Sequence, residues 1–204
     1  MNTSGPELRE ALRAARSGIS SELQAAASRD LRDRLVVALE TMTPKTMTPK
    51  IMQPSASAPI VCSYLPYQGE IDPEPAVSVL RKWGWRTALP VIGPRASMTF
   101  VEWAPGDALS KNKYGIAEPV GPPISPTNIG VMLIPGVGFD RYGSRVGHGV
   151  GFYDRFLEPF RDEVQPLRIG VAHDIQIAKL LRPEPWDVPM HLVVTDRQIV
   201  DARR

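Results

Sequence analysis

Residues 130–135 form a compact apolar run, Gly-Val-Met-Leu-Ile-Pro, and a loop holding Gly136, Gly138, Gly143, Gly147, Gly149 and Gly151 follows it. A helical pattern resumes at Phe152. A short run of this kind belongs to a buried strand, so the chain is expected to place a covered strand directly before a glycine-rich turn and a helix. The rest of the sequence from Ile60 onward repeats the theme. Residues 60–65, 86–92, 98–103, 168–172, 192–195 and 199–200 read as strands, and 75–83 and 152–161 as helices. Strands alternating with helices predict an α/β fold: a single domain with a central, largely parallel sheet flanked by helices. Ligands of such sheets sit beyond the carboxyl ends of the strands, which directs attention to the loops there.

An N-terminal helical segment precedes this core, over residues 6–40. Leu8, Leu12 and Ala15 recur at helical spacing, Gly18 interrupts, and Leu23, Ala27, Leu31, Leu35 and Leu39 resume the pattern. Its many arginines, among them Arg9, Arg13 and Arg16, are interleaved with acidic residues and read as a solvated helix face. Residues 41–58 are proline-rich and of low complexity, with Thr-Met-Thr-Pro-Lys at 41–45 repeated at 46–50. Closely spaced prolines stop a helix, so a surface connection is expected there.

Composition narrows the function classes. The 24 basic and 22 acidic residues of the 204-residue chain leave a net charge of +2, which offers no broad footprint for nucleic acid. No segment approaches the roughly 20 apolar residues that span a bilayer, and the N-terminus lacks a signal-peptide pattern. A cytoplasmic monomer with no membrane or nucleic-acid partner is expected. The single cysteine, Cys62, lies in an apolar run and reads as a buried structural thiol.

The glycine-rich turn carries the chemistry. Glycines let backbone N–H groups approach a ligand closely, and a loop that ends at a helix start concentrates donors suited to phosphate. Arg145 adds a forked positive charge. The loop is neither a Walker A sequence nor a Rossmann fingerprint, because 147–151 reads GxGxG and no Gly-Lys-Ser/Thr follows. Asp154, just after it, is placed either to hold Mg²⁺ against bound phosphates or to complement the helix dipole.

The run from Arg145 to Leu157, RVGHGVGFYDRFL, resembles the signature of the 5-formyltetrahydrofolate cyclo-ligase family, roughly Arg-Leu-Gly-x-Gly-x-Gly-Tyr-Tyr-Asp-Arg after a strand ending Pro-Gly-x-x-Phe-Asp. Similar segments follow the family's order at 69–72, 88–91, 98–100, 114–119 and 186–189, so the resemblance spans nearly the whole chain except 41–57. It implies conversion of 5-formyltetrahydrofolate and ATP to 5,10-methenyltetrahydrofolate, ADP and phosphate, with Mg²⁺ as cofactor and ATP as co-substrate.

By that resemblance Arg9, Arg145, Val146, Gly147, His148, Gly149, Val150, Gly151, Phe152 and Tyr153 bind ATP, with Arg145 and Tyr153 as the catalytic pair. Glu70, Tyr114, His148, Gly149, Val150, Gly151 and Phe152 border the folate. Asp154 and Asp187 hold the metal. Read as residues alone, Glu70 is either a pterin-edge acceptor or a loop cap. Asp187 is either a ligand or a turn residue before Val188-Pro189. His148 is either a group titrating against phosphate or an inert loop position. The chain departs from the family where Gly5 stands in place of the lysine of an N-terminal Lys-x-x-x-Arg motif, where Val146 replaces leucine, and where Phe152 replaces tyrosine. A non-catalytic nucleotide- or folate-binding paralogue is the alternative reading; an enzyme of another class on a related fold is the third.

Overall fold

A computed structural model describes residues 5–42 and 58–203. The chain opens with α1 (Pro6–Ser17) and α2 (Ser21–Met42), and continues through β1 (Ile60–Cys62), α3 (Glu74–Lys82), β2 (Arg86–Ile92) and β3 (Met98–Glu102). A small hairpin of β4 (Leu109–Lys111) and β5 (Ala117–Pro119) leads to β6 (Ile129–Pro135). A second hairpin, β7 (Gly138–Phe139) and β8 (Arg145–Val146), precedes α4 (Phe152–Leu157), β9 (Leu167–Ala172), β10 (Leu192–Thr195) and β11 (Ile199–Asp201).

The seven-stranded sheet runs β11-β10-β9-β6-β1-β2-β3. Its strands from β10 to β2 are mutually parallel, and β11 and β3 close the two edges antiparallel. The largely parallel α/β sheet expected from the alternation is therefore present. After β1 the chain crosses to β2 on one side, and β6 returns to the other side of β1. The order thus reverses between β1 and β6, and their carboxyl ends open a crevice for a ligand.

Strand alternation divides the core into two layers. Leu192 and Val194 point to the layer of Leu31, Leu35, Leu39, Val77 and Leu80 from α2 and α3, while Val193 points to the layer of Phe100, Met132, Ile134 and Leu157. Fully burying each such side chain stabilises the fold by about 1.5–3 kcal/mol. Cys62 is also fully buried, and that burial pushes its thiol well above the usual range, so it stays an unreactive packing group. No helix among the described residues is long and apolar enough to cross a membrane.

Helix α1 lies across the carboxyl end of the sheet. Its Leu8 and Leu12 pack on Val137, Val146 and Leu181. Gly138 is what lets them dock, since a Cβ there would meet Leu12 Cδ1 at 2.5 Å. The face turned inward carries Arg9, Arg13 and Arg16, spaced four and three residues apart. Arg16 is 1% exposed. These three arginines are not the solvated face expected from their acidic neighbours: docking of the two leucines rolls them toward the crevice.

Several boundaries differ from the sequence reading. β1 ends at Cys62 rather than at residue 65, because the chain leaves the sheet there to build a wall of the crevice. The helix expected over 152–161 stops at Leu157 and continues as a 3₁₀ turn, Glu158–Phe160, where Pro159 withholds a donor. α2 runs through Thr41 and Met42, so those two residues belong to the helix rather than to the proline-rich connection; Thr41 Oγ1 donates to Val37 O at 2.9 Å. The remainder of that connection, 43–57, lies outside the described residues, and Ala58 is buried.

Candidate active site

A cavity of about 730 Å³ opens at the carboxyl ends of β1 and β6. The loop after β1 supplies Tyr64, Tyr67 and Glu70; the hairpin and loop after β6 supply Arg145 through Asp154; α1 supplies Arg9 and Arg13; the β4–β5 hairpin supplies Tyr114. The segment before β10 contributes Trp186 and Asp187. Every residue singled out from the sequence lines this one space: Arg9, Glu70, Tyr114, Arg145, Val146, Gly147, His148, Gly149, Val150, Gly151, Phe152, Tyr153, Asp154 and Asp187.

The loop is held from beneath by Asp140, which is fully buried. Its Oδ1 accepts from the N–H groups of Tyr142 and Ser144, each at 2.9 Å, and its Oδ2 from Leu181 N at 2.9 Å. One carboxylate thus ties the turn of the β7–β8 hairpin to the segment that carries Trp186 and Asp187. Arg145 is therefore a strand residue of β8, fixed in direction, rather than the centre of an open loop. Its guanidinium pairs with Asp154 Oδ2 at 2.7 Å and lies 5.5 Å from the centre of the Tyr153 ring. A side chain at position 147 would crowd it, because a Cβ there would meet Arg145 Nη1 at 2.8 Å.

The arginines around the cavity share an unusual trait. The Nε atoms of Arg9, Arg13, Arg16 and Arg145 are buried with no hydrogen-bond partner. Buried donors are nearly always satisfied in folded proteins, and three of these four arginines, Arg9, Arg13 and Arg145, line the cavity, so their unmatched donors suit a polyanionic ligand there. The pattern suits a polyphosphate, since each guanidinium offers a planar fork of donors.

Asp154 and Asp187 sit on the same wall. Asp154 Oδ1 accepts from Val188 N at 3.4 Å, and Asp187 Oδ2 accepts from Glu184 N at 2.9 Å. Asp187 therefore caps a turn and faces the cavity at once. Among the described residues no three His, Cys, Asp or Glu side chains cluster as a self-sufficient metal cage. Two carboxylates beside an anion site do fit Mg²⁺, which commonly takes one or two carboxylates and completes its shell with phosphate oxygens and water.

The opposite wall is apolar and aromatic, with Leu89, Pro90, Met98 and Ile116 beside Tyr64, Tyr67, Tyr114 and Phe152. Glu70 stands at its polar end, 9% exposed. Its Oε2 accepts from Tyr67 N at 3.1 Å, and its Oε1 lies 3.3 Å from His148 Nε2 and 3.8 Å from Arg16 Nη1. Glu70 caps its own turn with one oxygen and presents the other to the cavity. Burial, then the nearby Glu70 charge, pushes the Tyr153 phenol far above its ordinary range, so its hydroxyl stays protonated and acts as a donor.

Sequence reasoning missed Arg13, Arg16, Tyr64, Tyr67 and Trp186. The signal for the arginines was their spacing from Arg9 on one helical face, which pointed to a shared direction but not to what that face meets.

Known proteins resemble this chain in sequence and in fold. The model of the 5-formyltetrahydrofolate cyclo-ligase family matches residues 2–196. The 5-formyltetrahydrofolate cyclo-ligase of Escherichia coli is 36% identical over 145 residues, 68% of this chain and 79% of that one. The Mycolicibacterium smegmatis protein of the same name is 32% identical over 152 residues, 71% of this chain and 77% of its own. The solution structure of the Aquifex aeolicus 5,10-methenyltetrahydrofolate synthetase superposes with a TM-score of 0.72 at 28% identity, covering 97% of this chain and 92% of the other. From the glycine-rich signature to the order of the strands, the chain belongs to the 5-formyltetrahydrofolate cyclo-ligase family.

Proposed function

We propose that this protein converts 5-formyltetrahydrofolate and ATP to 5,10-methenyltetrahydrofolate, ADP and phosphate, acting as a cytoplasmic monomer. The observation that carries the reading is one cavity in which three arginines with orphaned donors, Arg9, Arg13 and Arg145, lie beside an apolar, aromatic wall ending in Glu70. One half suits a polyphosphate and the other a flat, partly apolar heterocycle with N–H groups at its edge.

The chemistry needs an activated formyl group. Amide oxygen is a poor leaving group, and transfer of the γ-phosphoryl group of ATP to it makes a good one. The neighbouring folate nitrogen then attacks the formyl carbon and loses its proton, and phosphate departs with the former formyl oxygen. The five-membered ring closes as a cation shared between two nitrogens.

In this reading Arg9 and Arg145 hold the phosphates and offset charge that builds on the transferring group. The backbone of 147–151 wraps the phosphates and borders the formyl group. Tyr153, kept protonated, donates at the boundary between the two ligands. Glu70 accepts from the pterin edge, with Tyr114 and Phe152 against the ring. Asp154 and Asp187 would hold Mg²⁺, which supplies charge neutralisation at the phosphates when bound. Holding both substrates in one cavity converts a bimolecular encounter into a positioned one, and that is most of what the protein contributes.

A non-catalytic binding protein has no need of Arg145, Asp154, Glu70 and Asp187 converging on one space. The decisive assay incubates purified protein with 5-formyltetrahydrofolate and MgATP and follows methenyl absorbance. No product with both substrates present would overturn the proposal, and full-rate product in excess chelator would remove the metal from it.

A further inference from the structure

The inward face of α1 is unevenly supplied with charge. Gly5, at the helix N-cap, stands one turn before Arg9 and offers no side chain. Arg13 stands one turn after Arg9, and its guanidinium reaches the cavity. Arg13 Nε is buried with no partner, and Arg13 Nη2 lies 3.4 Å from His148 Nδ1. Nε–H and Nη2–H point to the same side of a guanidinium, so this fork of two donors is either empty or weakly held.

The contact with His148 has a fixed direction. Arginine only donates, so His148 Nδ1 must accept, and the imidazole proton then belongs on Nε2. That nitrogen faces Glu70 Oε1 at 3.3 Å, and a carboxylate accepts. A chain of donors therefore runs from Arg13 through His148 to Glu70. Both links are long for hydrogen bonds and are readily exchanged for better ones. A phosphate oxygen offers the Arg13 guanidinium a short, charge-assisted bond in place of the long contact with His148.

We propose that Arg13 is a phosphate-binding residue of the nucleotide site, supplying from the second turn of α1 the positive charge that Gly5 lacks, and that His148 holds its guanidinium until nucleotide takes it. The inference rests on the nucleotide reading of the cavity given above. It assigns His148 a placing role on the loop: its ring keeps Arg13 beside the phosphates and meets Glu70 on its other side.

Isothermal titration of ATP and of adenosine into the full chain, Arg13→Ala and Arg13→Gln tests it, with melting temperatures measured alongside. Loss of charge-assisted bonds should weaken ATP about tenfold to a hundredfold while adenosine affinity stays unchanged. Arg13→Gln keeps much of the side-chain stem in place and should show the same selective loss, so it decides the matter if the alanine variant melts early. ATP binding within twofold of the parent in either folded variant overturns the proposal, as does an equal loss for ATP and adenosine. A parent chain that binds no ATP sinks the nucleotide reading itself, a result distinct from failure at Arg13 alone.

Discussion

Arg168 and Arg145 are both well-buried arginines of the same domain, and they are treated in opposite ways. Arg168 is 2% exposed and its donors are met by the protein: Nε by Pro189 O at 2.9 Å, Nη1 by Phe160 O at 2.7 Å and Glu163 O at 3.2 Å, and Nη2 by Arg161 O at 3.3 Å. It stitches the segments before β9 and β10 together through neutral carbonyls. Arg145 has one strong partner, Asp154, and an Nε with none. Arg9 and Arg13 share that unpaired Nε. Burial alone does not separate a structural arginine from a ligand-binding one. The completeness of its hydrogen bonds does.

The largest effect expected from this contrast is on stability. Arg168→Ala leaves several buried carbonyls without that donor, at roughly 1–3 kcal/mol for each group left unsatisfied, so a loss of about 3 kcal/mol or more is expected. Turnover per folded molecule should be retained. Urea melts beside an active-fraction assay would check it, and a stable but inactive variant would erase the distinction. Arg145→Ala should reverse the pattern. Turnover falls by the equivalent of about 2–4 kcal/mol, as when a donor to developing charge is removed, with a smaller change in melting temperature. Wild-type turnover in that variant would take Arg145 away from the phosphates.

Glu70→Gln comes next. It keeps the shape but loses the charge and can turn a donor toward pterin N–H groups, costing roughly 1–3 kcal/mol. Folate affinity should drop while ATP affinity barely moves. A lower melting temperature with unchanged folate affinity would reduce Glu70 to a turn cap. The smallest effect concerns His191, whose Nε2 lies 2.6 Å from Arg168 Nη2. Burial, then the positive charge of Arg168, lowers the His191 pKa to about 4, against about 6.5 in an unfolded chain. Between those values the unfolded state binds a proton that the folded state refuses, so stability falls as pH drops from about 6.5 toward 4 and is unaffected by this group above that window. His191→Gln should flatten part of that slope in urea melts at pH 7.5, 5.5 and 4.5. An unchanged slope would show that the Arg168 clasp does not exclude the proton.

The parallel core was legible in the sequence because β6 and β10 are nearly continuous apolar runs and Arg168 alone interrupts β9, and the candidate site was legible because its glycines and charges are contiguous from Arg145 to Asp154. The β4–β5 and β7–β8 hairpins were not, since strands of two or three residues carry no period to detect. The fate of Arg13 and Arg16 was equally hidden. Nothing in the run from Leu8 to Arg16 says that Leu12 will seat against Gly138. Glu70, by contrast, accepts from Tyr67 N and also lines the cavity, so the sequence alternatives of cap and ligand are not exclusive.

That seating has a practical consequence. Three arginines near the cavity ride on α1, which is joined to the sheet domain through its leucines and through Arg16, whose Nη1 donates to Gly136 O at 3.4 Å. A methyl group at position 138 would force Leu12 to turn aside and disturb the seat of the helix, while the seven strands have their own core elsewhere. The circular dichroism spectrum of such a protein would pass inspection and its yield would look normal. A nucleotide held by Arg9 and Arg13 as proposed would bind less tightly, so a preparation judged by folding alone would overlook the displaced charges.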